Sequence, residues 1–243
     1  FDDILGGVGC GVDAGLRTLP DDGIYRVVIA SPGGKTHSWS VAIHDVPEPV
    51  RRDLVLNQAV VDGVPGPGAG RIETPGSVDE FTFNGMAEGQ LFFEEIQGNC
   101  TSPFRWRCIA PTGEVLFDET LGGLGCGRHA GSRLLPETGQ YRLVVSGLAD
   151  AVGSYGLAVW TVSPQTFAVG APVEISDGVP APGAGRLETP GAVDRYVFTA
   201  GAGDPLRFES EATAGSMTSI PWRLTDPNGE VLFVPVANLD VIV

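Results

Sequence analysis

The sequence is poor in positive charge. It has 15 lysine and arginine residues, only one of them lysine, against 30 aspartate and glutamate, for a net charge of −15. A chain this acidic repels phosphate backbones and anionic membrane surfaces, which excludes nucleic-acid binding. No apolar run approaches the roughly 18 residues of a membrane-spanning helix, and the N-terminus lacks the charged-then-apolar layout of a secretory signal. A chain opening on Phe1 is expected to be a processed product or a piece of a longer one. Helical periodicity is absent. Histidine is scarce: His37, His44 and His129 stand at no metal-ligand spacing from one another or from a cysteine, and neither GxSxG nor HExxH occurs. No residue is therefore nominated as catalytic, and the chain is read as a non-enzyme.

Glycine (35) and proline (19) are abundant, together about 22 % of the chain, which points to many turns. Much of this abundance is repetition. The opening FDDILGGVGCGVDAGLRTLPDDGIYRVV returns from Phe117 as FDETLGGLGCGRHAGSRLLPETGQYRLV, with 17 of 28 positions identical at an offset of 116. DGVPGPGAGRIETPGSVDEFTF from Asp62 recurs from Asp177 as DGVPAPGAGRLETPGAVDRYVF, identical at 16 of 22 positions at an offset of 115. PTGEVLF (from Pro111) likewise matches PNGEVLF (from Pro227). These matches define one complete repeat, residues 49–167, flanked by the C-terminal half of a repeat at 1–48 and an N-terminal half at 168–243. The two halves are complementary and add up to a second whole unit.

Each unit reads as β-structure. Apolar residues alternate in DEFTF (Phe81, Phe83 inward; Glu80, Thr82 outward), QYRLVV (Tyr141, Leu143, Val145 inward) and SYGLAV (Tyr155, Leu157, Val159 inward). The repeat preserves the pattern, since Phe81 and Phe83 become Tyr196 and Phe198. Short strands between Pro/Gly turns predict an antiparallel sandwich of eight or nine strands per unit.

The runs GRIETPGSVDEFTF, WRCIAPTGEVLF, LPETGQYRLVVSG and GSYGLAVW together resemble the bacterial pre-peptidase C-terminal domain family. The resemblance covers nearly the whole chain and rests on turn and core residues. It implies an all-β fold of tandem jelly-roll-like β-sandwiches and an extracellular or cell-surface location. It also implies an alternative role, as an accessory carbohydrate- or protein-binding domain of a secreted hydrolase.

Among candidate sites, GGVGCG (Gly6 to Gly11) and GGLGCG (Gly122 to Gly127) lack the strand-then-helix setting of a phosphate loop and read as loops at a sandwich end. Asp79 and Asp194 follow PG turns, and Asp2, Asp3, Asp118 and Glu119 enter the glycine-rich loop. Members of the resembled family often bind calcium, so these carboxylates are the calcium candidates, and no other cofactor is expected. The competing reading has Asp79 and Asp194 accepting backbone N–H bonds in their turns and the others solvated. Cys108 aligns with Leu224, in phase with Trp106, and reads as a buried apolar residue. Cys100 and Cys126 remain as the disulfide of the middle unit, closing a loop of about 26 residues and contributing on the order of 3 kcal/mol. Cys10 is left without a partner. Trp160 and Phe92 are outward aromatics on which a sugar could stack.

Half a sandwich leaves an apolar face bare. Residues 1–48 carry Tyr25, Val27, Ile29, Trp39, Val41 and Ile43 on one face. Three arrangements complete it: exchange of halves head to tail between copies of the chain, folding back within one chain, or a place in a longer tandem array. A linker of about seven residues, stiffened by Pro47 and Pro49, spans at most about 25 Å and disfavours the second. The expected function is a structural repeat module assembling with itself through 1–48 and 168–243 into a filament, stalk or adhesive array.

Overall fold

The computed structural model describes residues 15–30, 36, 38–96, 103–122, 129–149, 151–209, 220, 222–233 and 241–242. Strands of the middle repeat are β1 (Val50–Asp53), β2 (Ala59–Val60), β3 (Arg71–Ile72), β4 (Val78–Gly85), β5 (Gln90–Glu95), β6 (Phe104–Ile109), β7 (Val115–Leu121), β8 (Gly131–Leu134), β9 (Gly139–Gly147), β10 (Gly153–Ser154) and β11 (Leu157–Val162). Six more follow: β12 (Gln165–Ala168), β13 (Asp194–Val197), β14 (Arg207–Phe208), β15 (Leu224–Thr225), β16 (Val231–Phe233) and β17 (Val241–Ile242). No helix occurs among the described residues, and the fold class is all-β.

The middle repeat forms a sandwich of a five-stranded sheet, β1-β4-β9-β6-β7, and a four-stranded sheet, β2-β11-β5-β8, while β3 and β10 pair at one end. Alternation explains the core. Phe81, Phe83, Trp106, Tyr141, Leu143 and Val145 from the first sheet, and Leu91, Phe93, Leu157 and Val159 from the second, are all buried in one cluster. The inward positions read from the sequence are the inward positions of the structure. One expectation needs correction, and one gains a detail. The sheets are not wholly antiparallel, because β1 runs parallel to β4 with Val50 opposite Asp79. Glu80 and Thr82 face away from the core, yet they are not exposed: β4 lies between two neighbours whose side chains cover it. Arg51 Nε sits 2.8 Å from Glu80 Oε1, Arg142 Nη1 lies 3.5 Å from the same oxygen, and the Thr82 hydroxyl donates to Asp53 at 3.2 Å.

Four aromatic rings tie the two sheets together. Phe93 on β5 packs edge-on against Phe117 with centroids 4.9 Å apart, 6.5 Å from Trp106 and 6.3 Å from Phe83. Such pairs add attraction beyond the area they bury.

The loop from Val61 to Gly70 closes on itself through a cis Val64–Pro65 bond, the Val61–Val64 bridge and a Gly63 N–H to Ala69 carbonyl bond of 2.8 Å. Gly70, at φ +71°, approaches so closely that an added Cβ would lie 2.2 Å from the Val61 carbonyl carbon. Gly63, at φ +80°, has open space around it. Gly63→Ala carries only the backbone term, whereas Gly70→Ala carries that term plus a clash with main chain. Urea denaturation should show a loss of about 1 kcal/mol for the first and about 2–3 kcal/mol for the second.

The chain divides into two compact units, Phe1–Phe167 with Glu174–Arg195, and Ala168–Val173 with Tyr196–Val243. Residues 174–195 open the second repeat but pack in the first unit; a Cβ on Gly191 would sit 2.5 Å from that of Phe92.

Several local features of the middle repeat recur in residues 168–233. Ser176 and Val179 form the same bridge beside a cis Val179–Pro180 bond, and Gly185, at φ +70°, stands 2.3 Å from Ser176 as judged by an added Cβ. The Val169 N–H donates to the Val197 carbonyl at 2.9 Å, as Leu54 does to Thr82 at 2.7 Å. β15 and β16 pair with Leu224 opposite Phe233, the counterpart of Cys108 opposite Phe117. Phe208 keeps ring contacts with Phe198 at 6.2 Å and with Trp222 at 6.0 Å, repeating those of Phe93 with Phe83 and Trp106.

Candidate functional site

Two places concentrate chemistry or unsatisfied surface: the carboxylates, and the bare faces of the half-repeats. Asp79 is 5 % exposed at the start of β4, just past the turn in which Ser77 bonds to Thr74. It reaches inward between β1 and the loop 61–70. Its Oδ1 accepts from Arg52 Nη1 at 3.1 Å, its Oδ2 accepts a short hydrogen bond from the Tyr155 hydroxyl, and the Arg71 backbone N–H also donates to it. Arg52 in turn donates to the Pro67 carbonyl at 2.9 Å, and the Tyr155 N–H to the Gly70 carbonyl at 2.9 Å. One carboxylate thereby joins β1, β4, the cis-proline loop and the approach to β11. Burial pushes the Asp79 carboxyl above its ordinary range, partly offset by the Tyr155 hydrogen bond and the Arg52 charge. Burial, and then the neighbouring Asp79 charge, pushes the Tyr155 phenol well above its ordinary range.

The other calcium candidates stand elsewhere. Asp118 and Glu119 are consecutive on β7 and so point to opposite faces. Asp118 accepts two bonds from Arg105, at 2.5 and 2.6 Å, and this hydrogen bonding holds its carboxyl below the ordinary range. Glu119 accepts from Arg133 at 2.6 Å, and that guanidinium lies 5.7 Å from the Phe117 ring centre. Asp194 begins β13, half-buried. Among the described residues, no three His, Cys, Asp or Glu side chains converge to hold a metal ion. Asp2, Asp3, Cys10, Cys100 and Cys126 lie outside the described residues, as does most of each glycine-rich loop. Cys108 is a buried free thiol pushed up to about 12 by burial.

His129 uses Nδ1 to accept the Glu95 N–H at 3.2 Å, with its ring 5.4 Å from Phe92. Trp160 donates its indole N–H to Glu94 at 2.6 Å, while His44, at the matching position, is exposed. Sequence reasoning singled out Asp79 but not its partners Arg52 and Tyr155, because the second repeat has Phe167 and Trp39 at those positions. Repetition therefore gave no sign of them.

The half-repeats present a different kind of site. Among described residues, 15–49 hold no strand, and Tyr25 (50 % exposed), Val27, Trp39 (60 %), Val41 and Ile43 all face solvent. Local turn chemistry persists: the Tyr25 hydroxyl donates to the Asp21 carbonyl at 2.7 Å, as Tyr141 does to Glu137 at 2.8 Å. Identical corners therefore hold one buried tyrosine and one half-exposed tyrosine. Among the described residues of the other half, β12 pairs only with β13, β15 only with β16, and β14 with β17. Trp222, Val197, Val231 and Leu232 are exposed there.

These features define an all-β chain with one complete two-sheet β-sandwich in its middle repeat. No family model matches the chain, and no curated relative matches it. Among solved structures, it is similar to the pre-peptidase C-terminal domain of collagenase from Bacillus anthracis, with 17 % identity, a TM-score of 0.34, and coverage of 46 % of this chain and 97 % of that one. A likeness at this level concerns the fold alone.

Proposed function

We propose that this protein is a non-catalytic structural module. Its half-sandwiches complete one another between molecules, joining copies head to tail into a filament, stalk or adhesive array. One observation carries the reading: residues 15–49 repeat the sequence of a buried half-sandwich, yet the described ones among them hold no strand and leave Tyr25, Val27, Trp39, Val41 and Ile43 in solvent. Large apolar side chains left in solvent along one segment mark an interaction surface. Its complement is on the same chain, in residues 168–233, which keep the hairpin, the parallel ladder and the aromatic cluster of the middle sandwich. Because the two surfaces differ, a copy bound through one leaves the other open, and growth continues unless a ring closes. The same string of sandwiches arises where the halves sit within a longer tandem array. The resemblance read in the sequence points to the cell exterior as its place. Size-exclusion chromatography with light scattering tests the reading. The expected result is a mass that rises with concentration in multiples of 25.3 kDa, and a homogeneous single-chain species at micromolar concentration would sink it.

A further inference from the structure

The pattern of sheets in the C-terminal half shows which strands it lacks. In the middle sandwich β9 lies between β4 and β6, with Phe81 opposite Leu143, Thr82 opposite Arg142 and Cys108 opposite Leu143. Without β9 the five-stranded sheet would fall into a β1-β4 pair and a β6-β7 pair. Residues 168–233 show that split: β12 with β13 and β15 with β16, as separate two-stranded sheets. The four-stranded sheet behaves alike. Among the described residues β5 is flanked by β11 and β8, whereas its counterpart β14 takes up β17, a two-residue strand beyond Phe233, where the last match between repeats ends. By the offset of 116, the missing strands β9 and β11 correspond to residues 23–30 and 41–46, which are described, lie in no strand and are exposed except for the half-buried Ile29 and Val46.

Resting on the assembly reading above, we propose that residues 23–30 of one copy enter a second copy as its missing central strand. They run antiparallel between β13 and β15, with Tyr25 opposite Phe198, Arg26 opposite Val197, and Val27 opposite both Tyr196 and Leu224. Residues 41–46 then lie beside β14. The register is set by the repeat, and a slip of one residue would turn Tyr25, Val27 and Ile29 to the solvent face. The outer face is less favourable than in the middle sandwich: Arg195 stands where Glu80 does, so Arg26 meets a like charge where Arg142 meets an acid. Apolar side chains alone must drive docking.

Disulfide trapping between separately made chains reads this register. Arg26→Cys and Val197→Cys both lie on the outer face, and a disulfide needs Cβ atoms within about 4.5 Å, so a neighbour two residues along is out of range. The two single variants are mixed, gently oxidised and peptide-mapped, beside a second mixture of Arg26→Cys with Arg195→Cys. We expect the 26–197 link between chains at least ten-fold above the 26–195 link. Arg26→Glu should also tighten assembly a few-fold through Arg195. If light scattering shows assembly but the 26–195 link matches or exceeds 26–197, the register is overturned and the assembly reading survives. If the chains never assemble, both fall.

Discussion

Phe93→Ala should lower the stability of the middle sandwich by about 3–5 kcal/mol, the range for truncating a fully buried aromatic. Phe93 stands on the four-stranded sheet, and its ring reaches Phe117, Trp106 and Phe83, all on the five-stranded sheet. Removing it opens a cavity between the two layers, where neither sheet can close the gap without shifting its strands. Phe93→Leu keeps much of the volume and should lose roughly half as much. The denaturant midpoint of the full chain, followed by far-UV circular dichroism, measures both. An equal loss for the two substitutions would mean that ring geometry rather than filled volume sets the effect.

Asp79→Ala should lose a comparable amount, about 3–5 kcal/mol, for a different reason. It strands the Arg52 guanidinium and the Tyr155 hydroxyl in a place water reaches poorly, and unpaired buried partners carry most of the penalty for breaking such a pair. Tyr155→Phe removes one hydrogen bond and should lose about 1–2 kcal/mol. The pH dependence has a definite sign. Because burial raises the folded-state pKa of Asp79, its contribution to stability is complete below the unfolded carboxyl value near 3.8 and declines as pH rises through the folded value. Asp118 acts in the opposite sense: held low by Arg105, it contributes above its unfolded value and loses that contribution as pH falls. Comparing the chain with Asp79→Asn isolates the first effect. The advantage of aspartate over asparagine should shrink from pH 3 toward pH 6, and an advantage that grows would mean that Arg52 and Tyr155 outweigh burial.

The core of the middle sandwich was legible in the sequence because two-residue alternation survives between repeats: Phe81 and Phe83, Tyr141 and Leu143, and Leu157 and Val159 are inward in both readings. The parallel pairing of β1 with β4 was not legible. Val50–Asp53 is only four residues long and carries two arginines, so its pattern says strand without saying direction. Glu80 read as outward and is outward, but alternation reports which face a side chain takes, not that Arg51 and Arg142 cover it there. The Asp79 cluster was half legible: an aspartate after a PG turn stood out, but its partners come from β1 and from just before β11, 27 and 76 residues away in sequence. Contacts that long in sequence leave no local signature. The repeat marks Tyr25, Val27, Trp39, Val41 and Ile43 as counterparts of core side chains, and these are exposed; that the described residues of 15–49 hold no strand was not legible, because alternation says nothing of whether a strand has a neighbour to pair with.

Hydrogen exchange on the full chain tests the central claim most directly, reading the amides of residues 25–29 and 41–45 in a dilute fraction and in the heaviest fraction from the column. Complementary halves should make those amides exchange as fast as an unstructured chain when dilute, and as slowly as their counterparts in β9 and β11 when assembled. Fast exchange in the heavy fraction, or full protection in a single chain, would contradict it.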